Sequence, residues 1–249
     1  MNPALETRDL CKSFGALQVA AQINFRLEAG ARHALIGPNG AGKTTFVNML
    51  MGGLSPTSGS ILLGGVEVTR KSQRQRVKCG LGRTFQINTL FRSLTVVDNV
   101  ALAVAERHGV AWGCYRPAGR YKAVLDESMQ VLESLGLSGD AKMPLAAMPY
   151  GKQRLVEIAI ALGMRPKVLL LDEPAAGIPS LESHRILEVL DALPAEIAIL
   201  IIEHDMELVF RFARRITVLA QGAVLMEGTP AEVSSDLRVR QVYLGERHE

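Results

Sequence analysis

The stretch His33-Ala-Leu-Ile-Gly37-Pro-Asn-Gly-Ala-Gly42-Lys43-Thr44 decides how the rest of this sequence is read. A short apolar run enters a glycine-rich turn, and Thr44 to Met51 beyond it predicts a helix. Residues Gly37 to Thr44 fit the pattern G-x-x-x-x-G-K-[ST]. Glycines let the backbone curl until successive N–H groups face inward, and the N-terminus of the following helix adds partial positive charge. A loop of this kind cradles phosphate. Its candidate residues are Gly37, Pro38, Asn39, Gly40, Ala41, Gly42, Lys43, Thr44 and Thr45. Lys43 would reach the outer phosphates of a nucleotide, and the Thr44 hydroxyl would ligate Mg²⁺. A glycine-rich turn that merely contains Lys-Thr is the alternative, and the flanking strand and helix speak against it.

A second motif lies far along the chain. Val168-Leu-Leu-Leu-Asp172-Glu173 is an apolar strand ending in two acids. In a parallel sheet the carboxyl ends of strands are where ligands gather. Asp172 would then hold Mg²⁺ through water, and Glu173 would orient or deprotonate an attacking water. Seen alone, the same residues could be a strand leaving the core at its first charges.

Between and around these motifs the pattern alternates. Glu6 to Ala34 predicts short strands with turns at Phe14-Gly15 and Ala29-Gly30, and Gly59 to Val68 predicts a hairpin about Gly64-Gly65. From about Leu90 to Leu162 the periodicity becomes helical, as in Ala123 to Leu135, which sets Val124, Met129, Val131, Leu132 and Leu135 on or near one face. Strands and helices then alternate again: Lys167–Asp172, Ser183–Leu193, Ala198–Ile202, Met206–Arg214 and a closing hairpin about Gln221-Gly222. The fold class is α/β, a nucleotide-binding core interrupted by a helical insertion. The sequence divides at about 1–86 and 165–249 for the core and about 87–164 for the insertion.

Bulk properties bound the function. With 249 residues, 48% apolar and 21% charged, the chain can bury a sizeable core. A net charge of +3 gives no case for nucleic acid or an anionic membrane surface. Cys11, Cys79 and Cys114 are an odd count without metal-like spacing, which fits a reducing compartment. No run approaches the roughly 18–20 apolar residues that cross a bilayer, and the first residues do not read as a signal peptide. Any membrane role is expected through partners. The five basic residues from Arg70 to Lys78 read as a solvated helix face, with a docking surface as the other option. His33, His108, His184 and His248 read as structural or surface residues.

Pro149-Tyr-Gly-Lys-Gln153-Arg154 narrows the family. With it the chain resembles ABC ATPases, whose signature loop reads LSGGQ in its commonest form. The order of motifs fits as well: Phe14, then Gln86 in Gly82-Arg-Thr-Phe-Gln86, then His204 after Ala-Ile-Leu-Ile-Ile-Glu. The wording Gly-Arg-Thr-Phe-Gln, Pro-Tyr-Gly-Lys-Gln-Arg, Leu-Asp-Glu-Pro-Ala-Ala-Gly, Ile-Glu-His-Asp-Met and Tyr243-Leu-Gly-Glu246 is similar to the ATP-binding subunits of branched-chain amino acid importers. That branch also serves urea, amides and aromatic acids. Export or lipid-moving ABC ATPases and ribosome-associated ABC proteins are the competing readings. The latter usually carry tandem cassettes or coiled-coil insertions, and nothing here resembles either.

The resemblance implies a P-loop NTPase core with a helical signature subdomain and an antiparallel β subdomain. It implies an ATPase that uses ATP and Mg²⁺, with integral membrane permeases and a second ATP-binding subunit as partners. A solute-binding protein would be met indirectly, and the chain would sit peripherally on the cytoplasmic face of the membrane. Phe14 would stack on adenine, with core packing as the lesser alternative on residue type alone. Tyr150, Gly151 and Gln153 would complete the nucleotide site of the other protomer. Gln86 would sense the nucleotide beside the metal, and His204 would contact the γ-phosphate and steady the water near Glu173. Three departures stand out. Pro149 replaces the usual Ser, Pro179 replaces an Asp or Asn, and Ile160 replaces an arginine.

Overall fold

The computed structural model describes residues 2–84, 90–110 and 122–244. The chain packs as two compact units, one within Met1–Leu81, Lys167–Pro174 and Pro194–Glu249, the other within Gly82–Pro166 and Ala175–Leu193.

The first unit holds an antiparallel sheet with strand order β2-β1-β4-β5. β1 (Leu5–Phe14) turns at Gly15 into β2 (Leu17–Leu27), and β4 (Ser58–Leu63) turns at Gly64-Gly65 into β5 (Val66–Glu67). Both central residues of the second turn have positive φ, 55° and 83°, the conformation whose twist matches a two-residue hairpin. Leu5, Thr7 and Leu10 of β1 and Ile23, Phe25 and Leu27 of β2 are buried. The alternation changes phase after Thr7, where the β1–β2 register shifts and Asp9 takes φ 45°. Asp9 and Asn24 tie that bulge by exchanging hydrogen bonds of 2.9 and 3.0 Å.

The main sheet has the order β10-β9-β3-β8-β7-β6. β3 (Arg32–Ile36), β7 (Val168–Asp172), β8 (Ala198–Ile202) and β9 (Arg215–Ala220) run parallel, and β10 (Ala223–Gly228) folds back antiparallel on β9. β6 (Leu81–Arg83) lies at the other edge. Every residue of β3 and β8 is buried, as near-continuous apolar runs predict for strands covered on both faces. Arg32, whose Nη1 donates to Ile197 O at 2.7 Å, and His33 are the polar exceptions. His33 is held by Thr217, its Nε2 lying 2.8 Å from Thr217 Oγ1, and its ring packs edge-on against Phe25 at 5.1 Å.

α1 (Lys43–Met51) follows β3 and ends at Gly52 in the left-handed conformation. Around α2 (Gln73–Lys78) Arg70, Arg74 and Lys78 are exposed, as the basic run predicts, and the reading of a solvated face is corrected at one position, Arg76. Arg76 is only 1% exposed. Its guanidinium donates to the carbonyls of Met49 at 2.5 Å, Leu50 at 2.6 Å and Thr69 at 2.8 Å. A cation thus satisfies Leu50 O and joins Gly52 N, at 3.2 Å, on Met49 O at the C-terminus of α1. The unit is completed by α7 (Met206–Phe212), α8 (Pro230–Ser235) and α9 (Leu237–Leu244).

The second unit is helical: α3 (Val96–Arg107), α4 (Lys122–Ser134), α5 (Tyr150–Gly163) and α6 (Ser180–Asp191), with two single turns of 3₁₀ helix at Ser138–Asp140 and Leu145–Ala147. Thr95 caps α3, its side chain accepting from Asp98 N at 3.2 Å. Val124, Leu132 and Leu135 are buried as expected, but Met129 is 37% exposed, so the apolar stripe of α4 is narrower than its sequence suggests. Glu127 of α4 draws together Arg107, His108 at 2.9 Å and Arg165 at 2.7 Å. Among the described residues, no helix is long and apolar enough to cross a membrane.

Candidate functional site

The phosphate loop leaves β3 at Gly37, which has φ 152°. A Cβ there would lie 2.2 Å from the carbonyl oxygen of Leu219 in β9, so the close approach of two backbones requires glycine. Gly42, φ 99°, opens α1, and its carbonyl accepts from Phe46 N at 2.8 Å. The turn of the β9–β10 hairpin buttresses the loop from outside, with Gly222 N donating to Ala41 O at 3.0 Å and Gly222 O accepting from Ala21 N at 2.8 Å. Lys43 Nζ donates to the carbonyls of Gly37 and Pro38, the latter at 2.9 Å, which holds the ammonium over its own loop. Thr44 is exposed in the first turn of α1, and Thr45 is half-buried.

A cleft of about 270 Å³ opens above this loop. Val19, Asn39, Gly40, Ala41, Gly42, Lys43, Thr44 and Thr45 line one part, and Glu173, Ile202, Glu203 and His204 line the rest. The sequence-predicted acid and histidine therefore meet the phosphate loop across more than a hundred residues of chain. β7 and β8 bring them there, since Asp172 pairs with Ile202 and Glu173 N donates to Ile202 O at 2.9 Å. Glu173 sits at φ 47°, a left-handed backbone that costs a non-glycine residue about 1–2 kcal/mol. Glu173 Oε1 is 3.6 Å from His204 Nδ1, and both side chains are more than half exposed. So exposed a pair contributes little to stability, and its significance is positional.

Glu203 was not singled out in the sequence. It is 2% exposed, it lines the cleft, and its Oε2 accepts from His204 N at 3.3 Å. The signal was present: it is the first acid after the five apolar residues of β8. Phe14 does not line the cleft. It stands 52% exposed at the end of β1 with Lys12 Nζ 5.0 Å from its ring centroid, which disfavours the core-packing alternative. Asp172 closes β7, half-buried. A hydroxyl, from Thr44, and a carboxylate, from Asp172, suit a hard cation such as Mg²⁺, which keeps waters and takes substrate oxygens. Among the described residues no group of three or more His, Cys, Asp or Glu could hold a metal ion. Gln86 lies outside the described residues.

The signature residues belong to the helical unit and open α5. Its N-cap is Pro149, which supplies no side-chain hydrogen bond, so the first-turn N–H groups gain no cap from it. Tyr150 is 45% exposed and takes a hydrogen bond on its hydroxyl from Arg154 at 3.4 Å. A Cβ on Gly151 would lie 2.3 Å from Glu182 Oε2. Gln153 is 6% exposed, and its amide donates to Met148 O at 2.8 Å. Lys152 also points outward from this turn and pairs with Asp140 at 2.6 Å. A helix alternates such faces within one turn, and the spacing of a loop motif does not show which one faces out. Pro179, a departure in the sequence, serves as N-cap of α6, its carbonyl accepting from Glu182 N and Ser183 N at 2.9 and 3.0 Å. Ile160 lies half-buried in α5.

Comparison with known proteins gives the family. Residues 20–176 match the family model described as ABC transporter, and residues 223–249 match that described as branched-chain amino acid ATP-binding cassette transporter. The chain is 38% identical to the high-affinity branched-chain amino acid transport ATP-binding protein LivG of Escherichia coli K12, over 98% of each chain. It is 36% identical to the corresponding protein BraF of Pseudomonas aeruginosa, again over 98% of each. In solved structures it resembles the ADP conformation of MJ1267, an ATP-binding cassette of an ABC transporter, with a TM-score of 0.88 and 27% identity over 98% of this chain and 100% of that one. A similar likeness, TM-score 0.81 at 27% identity, covers 99% of this chain and 100% of cbiO1 from Clostridium perfringens, part of the transporter complex cbiONQ. Phosphate loop, strand-end acids, signature helix and full-length relatives together make this chain a member of the ABC transporter family, an ATP-binding and ATP-hydrolysing cassette subunit.

Proposed function

We propose that this chain energises uptake of branched-chain amino acids, or of small solutes of similar chemistry, through partner membrane permeases. The hydrolytic part rests on one observation, the cleft that unites the phosphate loop with Glu173 and His204. The cargo rests on the match of residues 223–249 and on what LivG and BraF are named for. The chain would bind at the cytoplasmic face of the membrane through those permeases. A second ATP-binding subunit would face it, and a solute-binding protein would meet the assembly only through the permeases.

The residues divide the work by chemistry. Loop N–H groups and the N-terminus of α1 would hold the phosphate oxygens, and Lys43 would exchange its loop carbonyls for the outer phosphates. Thr44, Asp172 and Gln86 would hold Mg²⁺, which when bound neutralises developing charge on the phosphates. Phe14 would stack on the adenine. Glu173 would take the proton of the attacking water, with the left-handed backbone aiming its carboxylate over the loop, and His204 would steady that water and the γ-phosphate. Across the dimer, Tyr150 and the α5 N-terminus at Gly151 would face the other protomer's nucleotide. Gln153 would contribute by fixing that turn through Met148 O.

The test is Glu173→Gln. ATP binding is expected to persist while turnover falls at least about a hundredfold, the usual weight of a positioned base, and a nucleotide-bound dimer accumulates. Hydrolysis by this variant at near the unmodified rate would remove Glu173 from the role.

A further inference from the structure

The nucleotide cleft holds a carboxylate that the division of labour above leaves without a role. Glu203 is 2% exposed and lines the cleft between Ile202 and His204. Its place follows from the sheet. The strand order β3-β8-β7 sets the carboxyl end of β8 between the phosphate loop, which leaves β3, and Glu173, which follows β7. Glu203 stands one position beyond that end, next to Ile202, whose carbonyl accepts from Glu173 N at 2.9 Å. An acid buried beside a phosphate site is unfavourable on two counts. Burial penalises its charge, and the ligand carries the same sign. Such an acid needs a group to serve.

His204 is that group. Its backbone is held from both sides: its N–H donates to Glu203 Oε2 at 3.3 Å, and Asp205 caps α7 by accepting from Glu207 N and Leu208 N at 2.9 and 3.3 Å. The ring is less constrained, with the side chain 67% exposed. Two carboxylates approach it, both at Nδ1: Glu173 Oε1 at 3.6 Å and Glu203 Oε2 at 4.0 Å. Glu173 is itself half exposed, whereas burial fixes the carboxylate of Glu203. The partner of one ring nitrogen sets what the other can do, and a catalytic base is often oriented by a third group in this way. We infer that Glu203 is a positioning residue, whose buried carboxylate keeps Nδ1 of His204 on the acid side. Nε2 is then left for a phosphate oxygen, and Glu173 is left for the attacking water. The inference rests on the roles proposed above for His204 and Glu173. A separation of 4.0 Å is loose, and contacts of this kind tighten when a bound nucleotide closes the site.

The bland alternative is that Glu203 only satisfies the backbone N–H of His204. Glu203→Gln separates the two, because the amide keeps the shape and an oxygen for that N–H but loses the charge facing Nδ1. Steady-state ATP hydrolysis is measured for the full-length chain, Glu203→Gln, His204→Ala and the double variant, with urea midpoints alongside. Glu203→Gln is expected to lower kcat about tenfold or more and to leave KM for ATP within about twofold. The double variant is expected to match His204→Ala alone, since without the ring there is nothing to position. A slow His204→Ala beside a Glu203→Gln chain of unmodified kcat overturns the inference, and so does a further tenfold loss in the double variant. Glu203→Gln that no longer unfolds cooperatively would make the carboxylate structural and overturn it as well. If His204→Ala hydrolyses ATP at the unmodified rate, the role proposed for His204 fails first and takes this inference with it.

Discussion

At Gly37 the backbone of β3 runs so close to Leu219 O that a methyl group would sit 2.2 Å from it, at a φ of 152°. Gly37→Ala is therefore expected to cost at least about 2 kcal/mol, since backbone on backbone offers no flexible atom to yield. Urea unfolding would measure it, and an unchanged midpoint would contradict the contact. Lys43 contributes chemistry, and its carbonyl partners leave its ammonium at the loop mouth. Lys43→Ala is expected to weaken ATP binding about tenfold or more with little loss of stability, as for removal of a charge-assisted bond. A fluorescent-nucleotide titration giving unchanged affinity would end that assignment. Both residues were legible in the sequence, because the motif states residue type and spacing together. The inward amide of Gln153 and the buried acid of Glu203 were not, because which way a side chain turns depends on neighbours far along the chain.

Among the elements, α1 depends on a partner that its own sequence does not contain. Its last turn ends at Gly52, yet the carbonyl of Leu50 is satisfied by Arg76, which comes from α2 and shares Met49 O with Gly52 N. Arg76→Met keeps much of the volume and leaves those carbonyls and Thr69 O short of a donor. The expected loss is about 2–4 kcal/mol, seen as a lower urea midpoint with unchanged slope. A loss below about 0.5 kcal/mol would mean that water replaces the guanidinium at no cost. The sequence counted Arg76 among five like charges, and helical periodicity within a six-residue α2 is too short to single out a buried position. The closing hairpin is a parallel case. Its strands and its Gln221-Gly222 turn were readable, but the hydrogen bond that pins Gly222 to the phosphate loop joins elements nearly two hundred residues apart.

For the whole molecule, the two units contain buried groups whose proton affinities move in opposite directions. Burial pushes the His33 imidazole down to about 4, with Glu227 opposing the shift and Arg215 adding to it. The unfolded chain therefore binds a proton near the ordinary value of about 6.5 that the folded one refuses, so stability falls as pH drops from about 6.5 toward 4, by about 3 kcal/mol. Glu157, held up to about 6, works the other way: the folded state keeps a proton that the unfolded state releases, and stability falls as pH rises from about 4.5 through 6. Urea midpoints at pH 7 and 4.5 for the unmodified chain and for His33→Gln would separate the terms. The variant is expected to lose the acid-side decline; an equal decline in both would place the neutral histidine elsewhere in the balance.

β6, α8 and α9 were not readable in the sequence, which by itself determined the α/β class, the alternation of strands and helices about the core, the phosphate-loop motif and the two strand-end acids. Each of these is written in local residue types, in apolar runs of strand length, or in motif spacings that backbone geometry enforces. It also carried the resemblance to ABC ATPases on the loop at Pro149–Arg154. Only the tertiary structure decided that Glu173 and His204 stand 3.6 Å apart over the phosphate loop, that Arg76 is interior, and that Glu157 lines an apolar groove with an oxygen unspent. It also grouped residues 175–193 with the helical unit. Those facts arise where segments distant in the chain exclude water from one another, and burial of that kind is a property of the packed whole that no local pattern encodes.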